Sequence, residues 1–189
     1  MYGFASRAYL VAALFLFLLL PGEVLPQSFE GVLTGQYNTS RTGTNSSETI
    51  LTPSNVNSSA FGLLFSVAVD GDIFAEPLYV PNLKINGSVH NVVFVATVNN
   101  SIYAFDADDA RPPLWHLSLG TPVNVGLMNV GILGTPVIDI AMNTIFLVTL
   151  SSQSSQEIFS LHAIDILTGT QVAHTAIRGA VAGTGDDTQ

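Results

Sequence analysis

Three carboxylates fall within four positions at Asp106, Asp108 and Asp109, between the apolar run Ile102–Phe105 and Trp115, the only tryptophan of the chain. Acids so crowded have two chemical uses. They can converge on a hard cation, which wants about six to eight oxygens around one point. Or they can accept backbone N–H groups and close a hairpin as an Asx turn. The D-x-D-D spacing lacks the glycine and the downstream glutamate of a calcium-binding helix–loop–helix. A second copy of the pattern favours the turn. Asp165 in LHAIDI stands 59 residues after Asp106 in IYAFDA, and Pro136 stands 59 after Pro77. In the later copy Thr168-Gly169 completes the turn, with glycine free to take a positive φ. Asp106, Asp165 and Gly169 are therefore expected as turn formers, Asp108 and Asp109 as solvated loop acids, and no metal site is assigned.

The other reactive residues form no constellation. His90, His116, His162 and His174 lack ligand spacing such as H-x-x-x-H. His162 takes the place of Tyr103 in the repeat and is expected as a strand residue. The chain has no cysteine, which excludes disulfides, thiolate metal sites and cysteine nucleophiles. There is no G-x-S-x-G. GILGTP, residues 131–136, has no helix after it and is not a phosphate loop. No catalytic residue is assigned.

The elements that must carry these residues are strands. At 189 residues, 48% hydrophobic and 10% charged, the chain can bury a core. Five basic residues against fourteen acids, with no basic cluster, exclude a nucleic-acid partner. After Arg7, the apolar run from Leu10 to Leu20 ends at Pro21-Gly22. It is shorter than the roughly 20 residues of a spanning helix. Residues 1–27 thus read as a signal peptide, hence export to a periplasmic, extracellular or cell-surface location. The alternative is an uncleaved anchor over residues 10–20, the one membrane contact the sequence offers. Residues 28–60 are a Ser/Thr/Asn-rich connector. They carry N-x-S/T triplets at Asn38, Asn45 and Asn57, and others follow at Asn86 and Asn99. Such triplets arise by chance in this composition and carry meaning only in a eukaryotic source.

From Phe61 onward Val, Ile, Phe, Thr and Tyr dominate short segments separated by turn residues, the pattern of strands. FGLLFSVAV (61–69) is expected as an outer strand, with Asp70-Gly71-Asp72 as the turn after it. Eight further strands divide between two repeats, about 75–120 and 133–178. A long loop is expected at Pro81–His90 in the first and at Ser151–Gln156 in the second. VVFVA and TIFLV are apolar on both faces and must lie between two other layers. Four-stranded units in tandem are the signature of a β-propeller. The expected fold is all-β: tandem four-stranded antiparallel blades of an incomplete β-propeller, about two blades plus one outer strand, behind an N-terminal signal helix. A β-sandwich with accidental repetition is the alternative.

The segment VVFVATVNNSIYAFDADDARPPLW resembles the pyrroloquinoline-quinone (PQQ) repeat of quinoprotein propellers. The matching residues are Phe94, Val95, Thr97, Tyr103, Ala104, Phe105, Asp106, Ala107 and Trp115. TPSNVN, LLFSVAV and EPLYV resemble the entry into quinoprotein dehydrogenases, so the likeness covers residues 37–178. It implies that Trp115 docks one blade on the next. In the second repeat the corresponding position is Ala173 or His174, depending on a one-residue gap. It implies also that FGLLFSVAV pairs with the last blade and locks the ring. Quinoprotein dehydrogenases hold PQQ beside calcium with a Glu three residues before the first-blade Pro, a vicinal Cys pair, a Trp beneath the quinone and an Asp base. Here Phe74 stands at the Glu position. Glu76, out of register, is the single cofactor-binding candidate. PQQ and calcium are expected only if the full-length protein is a quinoprotein.

The resulting expectation is the N-terminal fragment of a secreted quinoprotein-like propeller, similar to bacterial PQQ-repeat proteins and acting as a non-catalytic binding or interaction scaffold. Its partners would be the missing blades, or another chain at the exposed sheet edges. The alternatives are a fragment of a PQQ-dependent alcohol or sugar dehydrogenase and a β-sandwich adhesin.

Overall fold

The structure, a computed structural model, describes residues 31–154 and 156–179; the predicted signal segment lies outside them. The described residues are all-β and contain no helix. The first sheet runs in the order β1 (Leu78–Ile85), β2 (Ser88–Ala96), β3 (Ser101–Asp106) and β4 (Trp115–Ser118). A two-stranded hairpin follows, β5 (Val123–Asn124) with β6 (Asn129–Val130). The second sheet is another antiparallel meander: β7 (Val137–Asp139), β8 (Thr144–Gln153), β9 (Gln156–Asp165) and β10 (Gln171–Ala176). None of the three sheets closes on itself.

Both stretches expected as long loops are hairpins. Leu83, Lys84 and Ile85 pair with His90, Val89 and Ser88 around Asn86-Gly87. Asn86 and Gly87 have φ of 51° and 87°. Two positive φ values make the type I′ turn, whose twist matches that of the flanking strands. Pro81, which has no N–H to give a ladder, sits at the register shift between Val80 and Leu83. In the second sheet the ladder of β8 with β9 continues out to Gln153 and Gln156.

The outer strand expected at 61–69 does not form. Residues 61–69 pair with no strand, and Leu63 and Leu64 are 86% and 91% exposed. An extended segment becomes a strand only beside an edge that takes its hydrogen bonds, and among the described residues no edge pairs with it. Only its end docks. Val69 packs on Val95, Tyr103 and Phe105 of the first sheet. The Asp70 carboxylate accepts hydroxyl bonds from Thr97 (2.8 Å) and Ser101 (2.5 Å). The Asn99 side-chain amide donates to the Asp70 carbonyl, and the Val98 N–H donates to the Asp72 carbonyl at 3.0 Å. The connector is anchored at its start. Val32 forms a bridge with Tyr79 of β1, and the Leu33 carbonyl accepts the Ile138 N–H of β7 at 2.8 Å. Val32 and Leu33 thus sit between edge strands of the two sheets.

The core lies between the sheets. Leu78, Val80, Val92, Phe94, Ala96, Ile102 and Ala104 of the first sheet form one buried cluster with Ile138, Ile145, Leu147 and Ile164 of the second. Cross-strand partners share a face, so the registers show which faces meet. In the first sheet Leu78 lies opposite Phe94, Phe94 opposite Ala104, and Ala104 opposite Trp115. In the second, Ile145 lies opposite Ile164, and Leu147 opposite His162. The 59-residue offset makes Ile164 and His162 the equivalents of Phe105 and Tyr103, which point away from the second sheet. The equivalents of Ile102 and Ala104 are Leu161 and Ala163, on the second sheet's outward face. The contact therefore joins unlike faces, and the two sheets stack in the same sense.

Candidate functional site

Three of the expected structural residues, Trp115, Asp165 and Gly169, meet where the first sheet touches the turn after β9. Asp165 organises that turn. One carboxylate oxygen accepts the N–H groups of Leu167 (2.8 Å) and Thr168 (2.9 Å), and the Gly169 N–H reaches the Asp165 carbonyl at 2.9 Å. Gly169 sits at φ 69°, and a Cβ there would lie 2.7 Å from the Trp115 ring. Glycine is thus required twice, for the left-handed backbone and for the approach of the indole. Trp115 starts β4, donates its Nε1–H to the Ile166 carbonyl at 3.0 Å and lies 5.7 Å from the Phe94 ring centroid. A single side chain of the first sheet thereby closes over the second sheet's turn, with its one polar atom satisfied.

The three clustered acids point to three different partners. One oxygen of Asp106 accepts the Asp108 N–H at 3.0 Å, the Asx arrangement, and the other meets His90 Nδ1 at 2.8 Å. The Asp108 N–H first, and the His90 ring second, hold the Asp106 carboxyl below its ordinary value. Asp108 accepts from the Asn91 side-chain amide at 2.8 Å, and Asp109 pairs with Arg111. Among the described residues no group of three His, Asp or Glu converges as a metal site would need.

Glu76 lies elsewhere, at the clasp made by the connector. Its carboxylate accepts the Gln36 N–H at 2.7 Å, and its own N–H donates to the Thr135 hydroxyl at 3.0 Å. Thr135 is its equivalent 59 residues on, so equivalent positions of the two repeats touch here. Glu76 is exposed, and its carboxylate is engaged by a backbone N–H.

Three features escaped the sequence reading. Asn100 is fully buried at φ 57° and donates from the first sheet to the Leu150 carbonyl of β8 at 2.8 Å. Its Oδ1 has no hydrogen-bond partner among the described residues and lies close to Gly131, where a Cβ would be 2.5 Å away. The Asn99-Asn100 pair was legible as a turn, but its reach across the interface was not. His162 is buried, with Nε2 on the Thr149 hydroxyl (2.9 Å) and Nδ1 on Gln171 (2.8 Å). Burial pushes its pKa below the ordinary histidine value. The third is the His90–Asp106 pair, whose members lie 16 positions apart and meet only through the β2–β3 register.

No family model, no curated protein and no solved structure matches this chain.

Proposed function

We propose that this chain is the N-terminal part of an exported, quinoprotein-like β-propeller that serves as a non-catalytic binding scaffold. The observation carrying this reading is the same-sense stacking of two equivalent sheets. A contact between unlike faces repeats without limit until a rotation closes the ring, and a propeller is that closure in four-stranded units. A two-layer sandwich turns its outer faces to water with polar residues. The second sheet here turns out Val137, Val148, Phe159 and Leu161, all exposed, as an internal layer of a longer stack would. The non-catalytic part rests on the acids: Asp106 and Asp165 shape turns, Glu76 anchors the connector, and Asp109 pairs with Arg111.

Two experiments test the reading. Sequencing the frame beyond codon 189 should find further repeats of about 59 residues. Adding PQQ and calcium to the full-length protein, with alcohols or sugars and a redox dye, should give no cofactor binding and no dye reduction. Binding with turnover would establish the dehydrogenase alternative.

A further inference from the structure

Equivalent places in the two sheets hold a pair of stacked rings. In the first sheet Tyr103 lies opposite His116, with ring centroids 4.2 Å apart. In the second His162 lies opposite His174, with centroids 5.9 Å apart. The 59-residue offset carries Tyr103 onto His162, and the registers carry His116 onto His174. Both repeats keep the stack, but only the second builds it from two imidazoles.

Those imidazoles share one amide. His162 Nδ1 meets Gln171 Oε1 at 2.8 Å, and Gln171 Nε2 meets His174 Nδ1 at 3.3 Å. The amide oxygen only accepts and the amide nitrogen only donates. His162 therefore carries its proton on Nδ1, and His174 offers an Nδ1 lone pair. On the far side of the ring, His162 Nε2 meets the Thr149 hydroxyl at 2.9 Å. A hydroxyl can donate or accept, so Thr149, itself fully buried, holds the ring in either tautomer. Metal-ligating histidines are oriented in this way, by a partner on the second ring nitrogen. Burial also keeps His162 below its ordinary pKa, and hence neutral at pH 7.

We propose that His162, His174 and Gln171 form a site for a divalent transition-metal ion that favours imidazole, Zn²⁺ or Cu²⁺. The ion takes the place of the amide bridge between the two Nδ1 atoms and keeps Gln171 Oε1 as a third donor. His174 lies exposed on the edge strand β10, and a turn of its ring brings Nδ1 to the metal–nitrogen distance of about 2.0–2.1 Å. The His162 proton moves from Nδ1 to Nε2, where the Thr149 oxygen accepts it, so no proton is released. Water completes the coordination on the open side of β10. The ion clips the edge strand β10 to β9. The site lies within one sheet and does not rest on the propeller reading.

The test is titration of the full chain with Zn²⁺ at pH 7, followed by calorimetry and by the urea unfolding midpoint. One equivalent should bind and raise the midpoint, as a ligand of the folded state does. His174→Ala and His162→Tyr should each weaken that uptake by about tenfold or more. His162→Tyr installs the ring that the first sheet carries at Tyr103, so the stack survives and the ligand does not. His90→Ala and His116→Ala should bind as the unaltered chain does. A second measurement needs no variant. Cu²⁺ below one equivalent should broaden the imidazole proton resonances of His162 and His174 ahead of those of His90 and His116. The absence of one-equivalent uptake, uptake unchanged in either His162→Tyr or His174→Ala, or equal broadening of all four histidines would overturn the proposal.

Discussion

The third strands of the two sheets hold equivalent positions, and their surroundings differ. Ser101–Asp106 is buried along its whole length, whereas Gln156–Asp165 is buried only at alternate positions over its second half. Ile102 is 0% exposed and its equivalent Leu161 is 39% exposed. Both strands carry apolar side chains on each face, so composition does not separate them. The neighbours do. Among the described residues the first sheet has the second on one face and Val69–Asp72 on the other, and the second sheet has a neighbour on one face only. A strand apolar on both faces therefore records a demand for two layers, and the count of layers it finds is set outside the strand. Insertions differ in the same way. The first sheet lengthens its β1–β2 hairpin, the second its β8–β9 hairpin, so two repeats of one period place their protrusions at different corners.

This comparison can be broken with substitutions at paired positions. The largest expected effect is the contrast of Ile102→Ala with Leu161→Ala. The first empties a closed core and should cost about 2–5 kcal/mol; the second should cost less than about 1 kcal/mol. Urea unfolding followed by far-UV circular dichroism measures both, and equal losses would deny the asymmetry. Next is Gly169→Ala, which meets both the positive φ and the indole and should cost roughly 1–3 kcal/mol. Ala110→Gly, at the equivalent place in the first repeat, should stay within about 0.5 kcal/mol. Trp115→Phe keeps a ring on Phe94 but strips the Ile166 carbonyl of its donor, for a loss of about 1 kcal/mol.

The smallest effect is a pH dependence confined to the second sheet. Burial lowers the pKa of His162, and Thr149, Gln171 and His174 are the groups that face it. The folded state then binds its proton less readily than the unfolded chain. Stability should be full above the ordinary histidine value of 6.5 and fall as pH drops from there toward the lower folded value. His162→Tyr, which installs the residue found at position 103, should remove that slope between pH 7 and 5. The lowered Asp106 carboxyl acts only in stronger acid, where its contribution is lost as pH falls through a value under 3.8.

Much of the strand pattern was readable because period-2 alternation and turn residues are local signals. The Asp106 and Asp165 turns form over three residues and appear in the sequence as such. What escaped was non-local or ambiguous. FGLLFSVAV has strand composition, but a strand needs a partner edge, which a sequence segment cannot supply for itself. Asn86-Gly87 was a plain type I′ signal that Pro81 obscured, because proline there marks a bulge and not a loop. Whether Ala173 or His174 matches Trp115 depended on a gap that only the register resolves. The bond from Asn100 to Leu150 spans 50 positions and left no local trace.

Among the described residues, equivalent faces of equivalent sheets differ because one is covered and the other is not. Ala104 and Ala163 occupy matching positions on those faces, and the protein has no thiol of its own. Maleimide labelling of Ala104→Cys and Ala163→Cys, each as a single variant of the chain under native conditions, measures the difference. The half-buried thiol at 163 should react readily in the native state, and the thiol at 104 only through unfolding, slower by about a hundredfold or more. Comparable rates at the two positions would contradict it.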